Sequence, residues 1–174
     1  ELQSLYLEGY VSYPRSNIVY IGNGEAETLP QVLNNLAEIN EFKSLLPAPI
    51  KNISDDTRFV NPPKVEEHHG IIPTEKKVDW EKLNDNQKVI YRLIAKSVIA
   101  AHYPDAVVNE VNIITLVNSQ YSFKSKGRQV VDKGWYHVIP SQKDDEILPS
   151  VQKDQKGIVS DTEIKEDKTK PLSR

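Results

Sequence analysis

Neither cysteine nor methionine occurs among the 174 residues. Without cysteine there is no disulfide framework and no thiolate metal site. The missing methionine has a different bearing. The chain opens on Glu1 and runs at once into LQSLYLEG, which reads as the middle of a helix. The sequence is therefore expected to be an internal piece of a longer protein, and any site it carries to be incomplete. Long apolar runs are missing too: no stretch approaches the roughly 20 residues of a membrane-spanning helix, and no signal peptide opens the chain. Nor is positive charge in excess. Lys and Arg total 22 against 25 Asp and Glu, a net charge of -3. Residues 1–104 hold 11 basic and 14 acidic side chains and the remainder 11 of each, so neither part is a basic domain. A generic nucleic-acid binder acting through its bulk field is excluded. A DNA partner must be met by local groups placed on a few phosphates.

What is present is an ordinary core-forming composition, 38% apolar and 27% charged, in a length that fits one large domain or two small ones. Leu2, Leu5 and Tyr6 have helical spacing, with Gly9 as a left-handed stop. Tyr10 to Tyr13 reads as a short extended segment closed by Pro14, and IVYIGNG as a strand-like piece running into a glycine turn. Thr28 and Pro30 are expected to start a helix reaching about Leu46, with Leu29, Val32, Leu33, Leu36 and Ile39 along one stripe. Pro47 to Lys64 is a loop by its prolines. The clearest helix follows Asn84, with Gln87 completing a capping box and Val89, Ile90, Leu93, Ile94, Val98 and Ala101 expected to be buried. After Tyr103-Pro104 the segments AVVNEVNIITLV, QYSFKSK, RQVV and GWYHVIP are β-branched and aromatic, separated by Asn-Ser and two Lys-Gly turns. Strand-like pieces recur in the charged tail near GIVSDTEIKE. The expected fold is α+β: a mostly helical part over residues 1–103, then a mainly β part over 104–174.

Two motifs carry chemistry. In SYPRSN, Tyr13 and Arg15 are two apart, so an extended backbone turns both side chains to one face. A tyrosine oxygen is a poor nucleophile at its reference pKa of about 10, and a nearby cation favours the phenolate. The Arg15 guanidinium also offers a planar fork of donors matched to a phosphate. The same six residues also describe a surface turn with an exposed arginine. In EEHHGIIPTE, His68 and His69 are neighbours and would face opposite ways on a strand, which suits one divalent ion poorly. His102 and His137 sit on other elements. A metal site on Glu66, His68 and His69 is therefore the weaker reading, and one histidine serving as phosphate contact or proton carrier the better one. Taken in isolation, the piece reads before either of these as two surface histidines ahead of a buried strand.

Taken in order, LYLEGYVSYPRSN, HHGIIPTE, DNQKVIYRLIAKSVIAAHYPD, GRQVVDKGWYHVI and KTKPLSR resemble type IA DNA topoisomerases over essentially the whole chain. The Pro-Arg-Ser after the tyrosine and the doubled histidine before Ile-Ile-Pro-Thr lean to the topoisomerase III subgroup. The resemblance implies that Tyr13 attacks a DNA phosphodiester and stays joined to the 5′ phosphate during strand passage. It implies that Arg15 positions the phosphate, that His68 supports cleavage, and that Ser16 and His69 also contact DNA. The expected substrates are single-stranded and negatively supercoiled DNA in the bacterial cytoplasm, at the nucleoid or a plasmid.

The same resemblance places Mg2+ in a Toprim domain that this sequence lacks, so the piece alone is expected to be inactive and to bind no metal. Residues 1–103 would be most of the helical tyrosine domain, and 104–174 one part of a β arch and hinge built from two stretches of chain. An unpaired sheet edge, with dimerisation or aggregation of the isolated piece, follows. Three departures stand out: Asn17 where the family usually has aspartate, Glu67 before the histidines where Asp or a small residue is usual, and Gly70 after them where alanine is commoner. A non-catalytic DNA- or partner-binding module that keeps the fold is the alternative, supported by Asn17 and the low charge.

Overall fold

A computed structural model describes residues 1–46, 51–164 and 166. It is mixed helix and strand: four α-helices, then one antiparallel hairpin, among the described residues. Helix α1, Leu2–Leu7, buries Leu5 and ends at Gly9, whose φ is +76°. The Gly9 N–H donates to the Tyr6 carbonyl and the Tyr10 N–H to that of Leu5, at 2.8 and 2.9 Å. This is a Schellman end, and it needs a residue without a Cβ at the left-handed position. It also turns the chain so that Tyr10 onward leaves the helix extended.

Helix α2 is Asn23–Ala37, followed by a short helix α3, Asn40–Lys43. The expected start at Thr28 and Pro30 is thus too late, and the single helix to Leu46 is two. Gly22 takes the extended N-cap conformation, and its N–H donates to the Glu25 carboxylate at 2.9 Å. That acid in the first turn opens the helix upstream, leaving Pro30 in its interior. The stripe Leu29, Val32, Leu33 and Leu36 is buried as expected. The glycine turn read after Ile21 is this helix start, and IVYI forms no regular strand. Ile21 makes one parallel bridge to Val60.

Helix α4, Asp85–Ala101, begins with the expected box: Asn84 accepts from the Gln87 N–H at 2.9 Å, and Gln87 accepts from the Asn84 N–H at 3.0 Å. Its buried face is rotated from the expected one. Val98 is buried as expected and Ile90, Ile94 and Ala101 pack partly buried on the core, but Val89 and Leu93 are 58% and 67% exposed, and Tyr91, Ala95 and Ile99 are buried as well. The rotation follows from Gln87, whose amide is drawn inward to donate to Ser4 of α1 and to Glu8, the residue that ends it, at 2.9 and 3.1 Å. Asn84→Ala is expected to cost about 1 kcal/mol, seen as a lower unfolding midpoint. An unchanged midpoint would show that the box contributes nothing.

Strands β1, Val107–Val117, and β2, Tyr121–Asp132, pair antiparallel about a turn in which Asn118 and Ser119 have positive φ. The expected Asn-Ser turn is there; the Lys126-Gly127 turn is not, since β2 runs through it. Gly127 serves a close approach instead. A Cβ there would stand 2.8 Å from Leu148 Cγ and 2.9 Å from the Glu146 carbonyl, where residues 146–148 cross. Arg128 and Glu146 exchange two backbone hydrogen bonds at that crossing. GWYHVIP is a 3₁₀ turn over Gly134–His137, not a strand, because Gly134 at φ +43° lets the chain fold against Pro104. Val138 beyond it is buried in the core around α4, with Trp135 and Ile139 packed on that core. Residues 157–164 form no strand and have no partner strand among the described residues, and Ile158 and Ile164 are almost fully exposed.

Candidate functional site

The segment after α1 lies beside residues 68–74. The Ser12 N–H donates to the Ile72 carbonyl at 2.9 Å and the Thr74 N–H to that of Tyr10 at 3.1 Å, flanking an antiparallel bridge between Val11 and Pro73. Pro73 thus occupies a non-hydrogen-bonded position of the ribbon, where a residue without an N–H loses nothing. Side chains tighten the pairing. Ser12 Oγ accepts the Ile72 N–H at 3.0 Å and donates to the Gly70 carbonyl at 3.3 Å, and Thr74 Oγ1 donates to the Gly9 carbonyl at 2.5 Å. Farther along, the Gly70 N–H donates to the Tyr20 carbonyl at 2.7 Å. A Cβ on Gly70 would lie 3.3 Å from the Ile18 carbonyl and 3.4 Å from that of Tyr20, so glycine suits this close crossing.

This ribbon brings two of the sequence motifs together. The rings of Tyr13 and His68 stand 4.2 Å apart, tilted by 36°, and the far edge of the site is Tyr6 of α1, edge-on to Tyr13 at 5.5 Å. Ser16 Oγ donates to the His68 carbonyl at 3.2 Å and accepts the Ile18 N–H at 3.1 Å, closing the turn that carries Arg15. Tyr13 is half-buried, Arg15 and His68 are exposed. Among the described residues no protein group bonds the Tyr13 hydroxyl or pairs with the Arg15 guanidinium. The arrangement offers a phenol held by two rings, an imidazole on its face, and a free cation two residues on. Such a set can present a nucleophile to a phosphate ester and hold the anion that forms.

His69 is placed differently from His68. Its Nδ1 is 2.7 Å from the Gly70 carbonyl and its Nε2 is 3.7 Å from Glu25. Glu66 and Glu67 are exposed, and no group of three or more potential metal ligands gathers among the described residues. His102 is remote in role as well as sequence. It caps the end of α4 with Nδ1 2.8 Å from the Val98 carbonyl, and burial pushes its imidazole below the ordinary histidine range. Asn17 is exposed at the rim.

Sequence reasoning did not single out Ser12, Tyr6, Thr74 or Glu25. A serine directly before the tyrosine was the available signal for the first. The third lies within a motif already in view. Nothing local marks Tyr6 or Glu25, whose parts depend on packing.

Comparison with known proteins places these features in context. The family described as DNA topoisomerase matches residues 2–174. A protein named DNA topoisomerase 1 from Alkalihalophilus pseudofirmus is 36% identical over 173 residues, covering 99% of this chain and 24% of that protein. One named DNA topoisomerase 3 from Bacillus subtilis is 30% identical over 183 residues, covering 99% of the chain and 25% of the relative. Another of that name, from Bacillus thuringiensis, is 30% identical over 154 residues, covering 87% and 21%. The chain spans about a quarter of the length of the curated relatives it matches.

Proposed function

Since the chain belongs to the type IA DNA topoisomerase family, we propose that it supplies the cleaving tyrosine of a longer strand-passing enzyme. Tyr13 Oη gives up its proton and attacks a phosphorus of single-stranded DNA, forming a P–O bond. The P–O3′ bond breaks, the departing 3′ oxygen takes up a proton, and the 5′ phosphate stays on Tyr13. Religation runs the same step backward, returning the phosphate to the 3′ hydroxyl. Arg15 receives the phosphate oxygens on its fork, and donors already in place as charge develops lower the barrier. His68 lies against the tyrosine ring, and Ser16 holds the turn between them. Asn17 leaves this rim one charge less negative than an aspartate would. The observation that carries the reading is the 4.2 Å approach of Tyr13 and His68 beside an arginine without an ion-pair partner among the described residues.

Magnesium belongs to the part of the enzyme outside this chain. The described residues offer no acidic cluster that fits it. The isolated chain is then inactive, and the full protein relaxes or decatenates negatively supercoiled DNA in the cytoplasm, at the nucleoid or a plasmid. In this reading residues 1–103 swing as the tyrosine-bearing domain, and 104–174 form part of the arch and hinge, whose hairpin gains its neighbours from elsewhere in the protein. Relatives named topoisomerase 1 and 3 both match. Support for the topoisomerase III subgroup is the His68–His69 doublet before Ile71-Ile72-Pro73-Thr74. The test is to denature the full-length protein during cleavage of end-labelled single-stranded DNA and map the adduct. Label on Tyr13 through a 5′ phosphate is expected; label on any other residue sinks the assignment.

A further inference from the structure

We infer that Glu25 and His69 form a positioning pair that sets His68 over Tyr13, an inference that rests on the cleavage reading above. The two histidines of the doublet have different surroundings, the chain bending at Glu67 and His68. His68 is exposed, its ring touching Tyr13. His69 turns inward, its side chain only 25% exposed. A carbonyl can only accept, so the Nδ1 of His69 carries hydrogen and donates to Gly70. Its Nε2 then faces the Glu25 carboxylate 3.7 Å away, an ion pair when that nitrogen also carries hydrogen. Glu25 does not wander, because its other oxygen accepts the Gly22 N–H that opens α2. Even Gly22 fits the design: a Cβ there would stand 2.7 Å from Glu25 Oε2 and push the carboxylate aside.

The chain of contacts is therefore α2 to Glu25, Glu25 to His69, and His69 to the Gly70 carbonyl that Ser12 also binds, one residue before Tyr13. On its far side Ser16 Oγ holds the same histidine loop through the His68 carbonyl. One histidine anchors and the other is presented. Glu25 and His69 touch no reacting atom and act through His68.

Glu25→Gln separates anchoring from capping, since the amide oxygen still accepts the Gly22 N–H and only the charge facing His69 is lost. In the full-length protein, cleavage of a single-stranded oligonucleotide should fall about 10-fold in kcat with KM within about two-fold, the size expected when a reacting group is slightly misplaced. The unfolding midpoint should hold. In a His68→Ala background the same substitution should have no further effect, because the residue it acts through is gone. An equal loss in both backgrounds, or no loss in the parent, overturns the pair. A second measurement does not depend on catalysis. The Cε1–H resonance of His68, shifted by the adjoining Tyr13 ring, should move toward its solvent value in the variant; if it stays, the pair positions nothing. Failure of the cleavage reading is seen separately, as cleavage that persists in Tyr13→Phe.

Discussion

Tyr13→Phe in the full-length protein is expected to lower relaxation of negatively supercoiled plasmid by on the order of 10⁴-fold or more, the scale on which loss of a covalent nucleophile is felt. The geometry makes this an unusually clean change. Tyr13 meets its surroundings through the ring alone, edge-on to Tyr6 at 5.5 Å and against His68 at 4.2 Å. No protein group bonds its hydroxyl among the described residues. Phenylalanine keeps both ring contacts, so the fold, the ribbon to residues 72–74 and the affinity for single-stranded DNA should stay near those of the parent. Binding measured by fluorescence anisotropy and the unfolding midpoint are the controls. Relaxation at the parent rate, with both controls intact, would mean that another group forms the covalent bond.

The largest loss of stability is expected from Phe42→Ala. Phe42, on α3, is wholly excluded from solvent and stands edge-on to Trp80 at 5.5 Å; Trp80 in turn meets Tyr91 of α4 at 6.2 Å. Beside them Glu41 takes both arms of the Arg92 guanidinium, which keeps its carboxyl below the usual range. The ring therefore joins α3, the 3₁₀ turn Trp80–Lys82 and α4. Removing a buried phenylalanine costs about 3–5 kcal/mol by lost burial and the cavity left behind. Against a typical total of about 5–15 kcal/mol, that is a large fraction. Urea unfolding followed by circular dichroism should show the midpoint fall with its slope kept. A loss under about 1 kcal/mol, the level of an average substitution, would show that α3 is not part of the cooperative core.

Local signals were legible in the sequence where one residue's chemistry settles the matter. Gly9 at the end of α1, the Asn84–Gln87 box and the Asn118-Ser119 turn are of that kind, because each depends on neighbours within four residues. Long-range packing overrode the same rules elsewhere. Gly127 reads as a turn residue, yet it continues a strand because residues 146–148 need the space a side chain would fill. Val89 and Leu93 fit a helical stripe, and α4 is rotated away from them by Gln87 reaching α1. At the candidate site the residue types were readable from SYPRSN and HHGIIPT. Their meeting was not, for no local preference says that Ser12 will bridge Gly70 and Ile72, or that Glu25 will face His69.

The contacts that build the site also impose an order of events on a newly made chain. Ser16 to His68, Ser12 to Gly70 and Thr74 to Gly9 join positions 52, 58 and 65 residues apart. Closing loops of that span costs entropy before any contact returns it, so such pairings form late, after the local helices. A partly folded molecule can therefore display α1 and α2 while Tyr13 still hangs apart from its histidine. On the proposed cleavage role, competence to break a DNA strand would arrive only with the closed body that could hold the broken end.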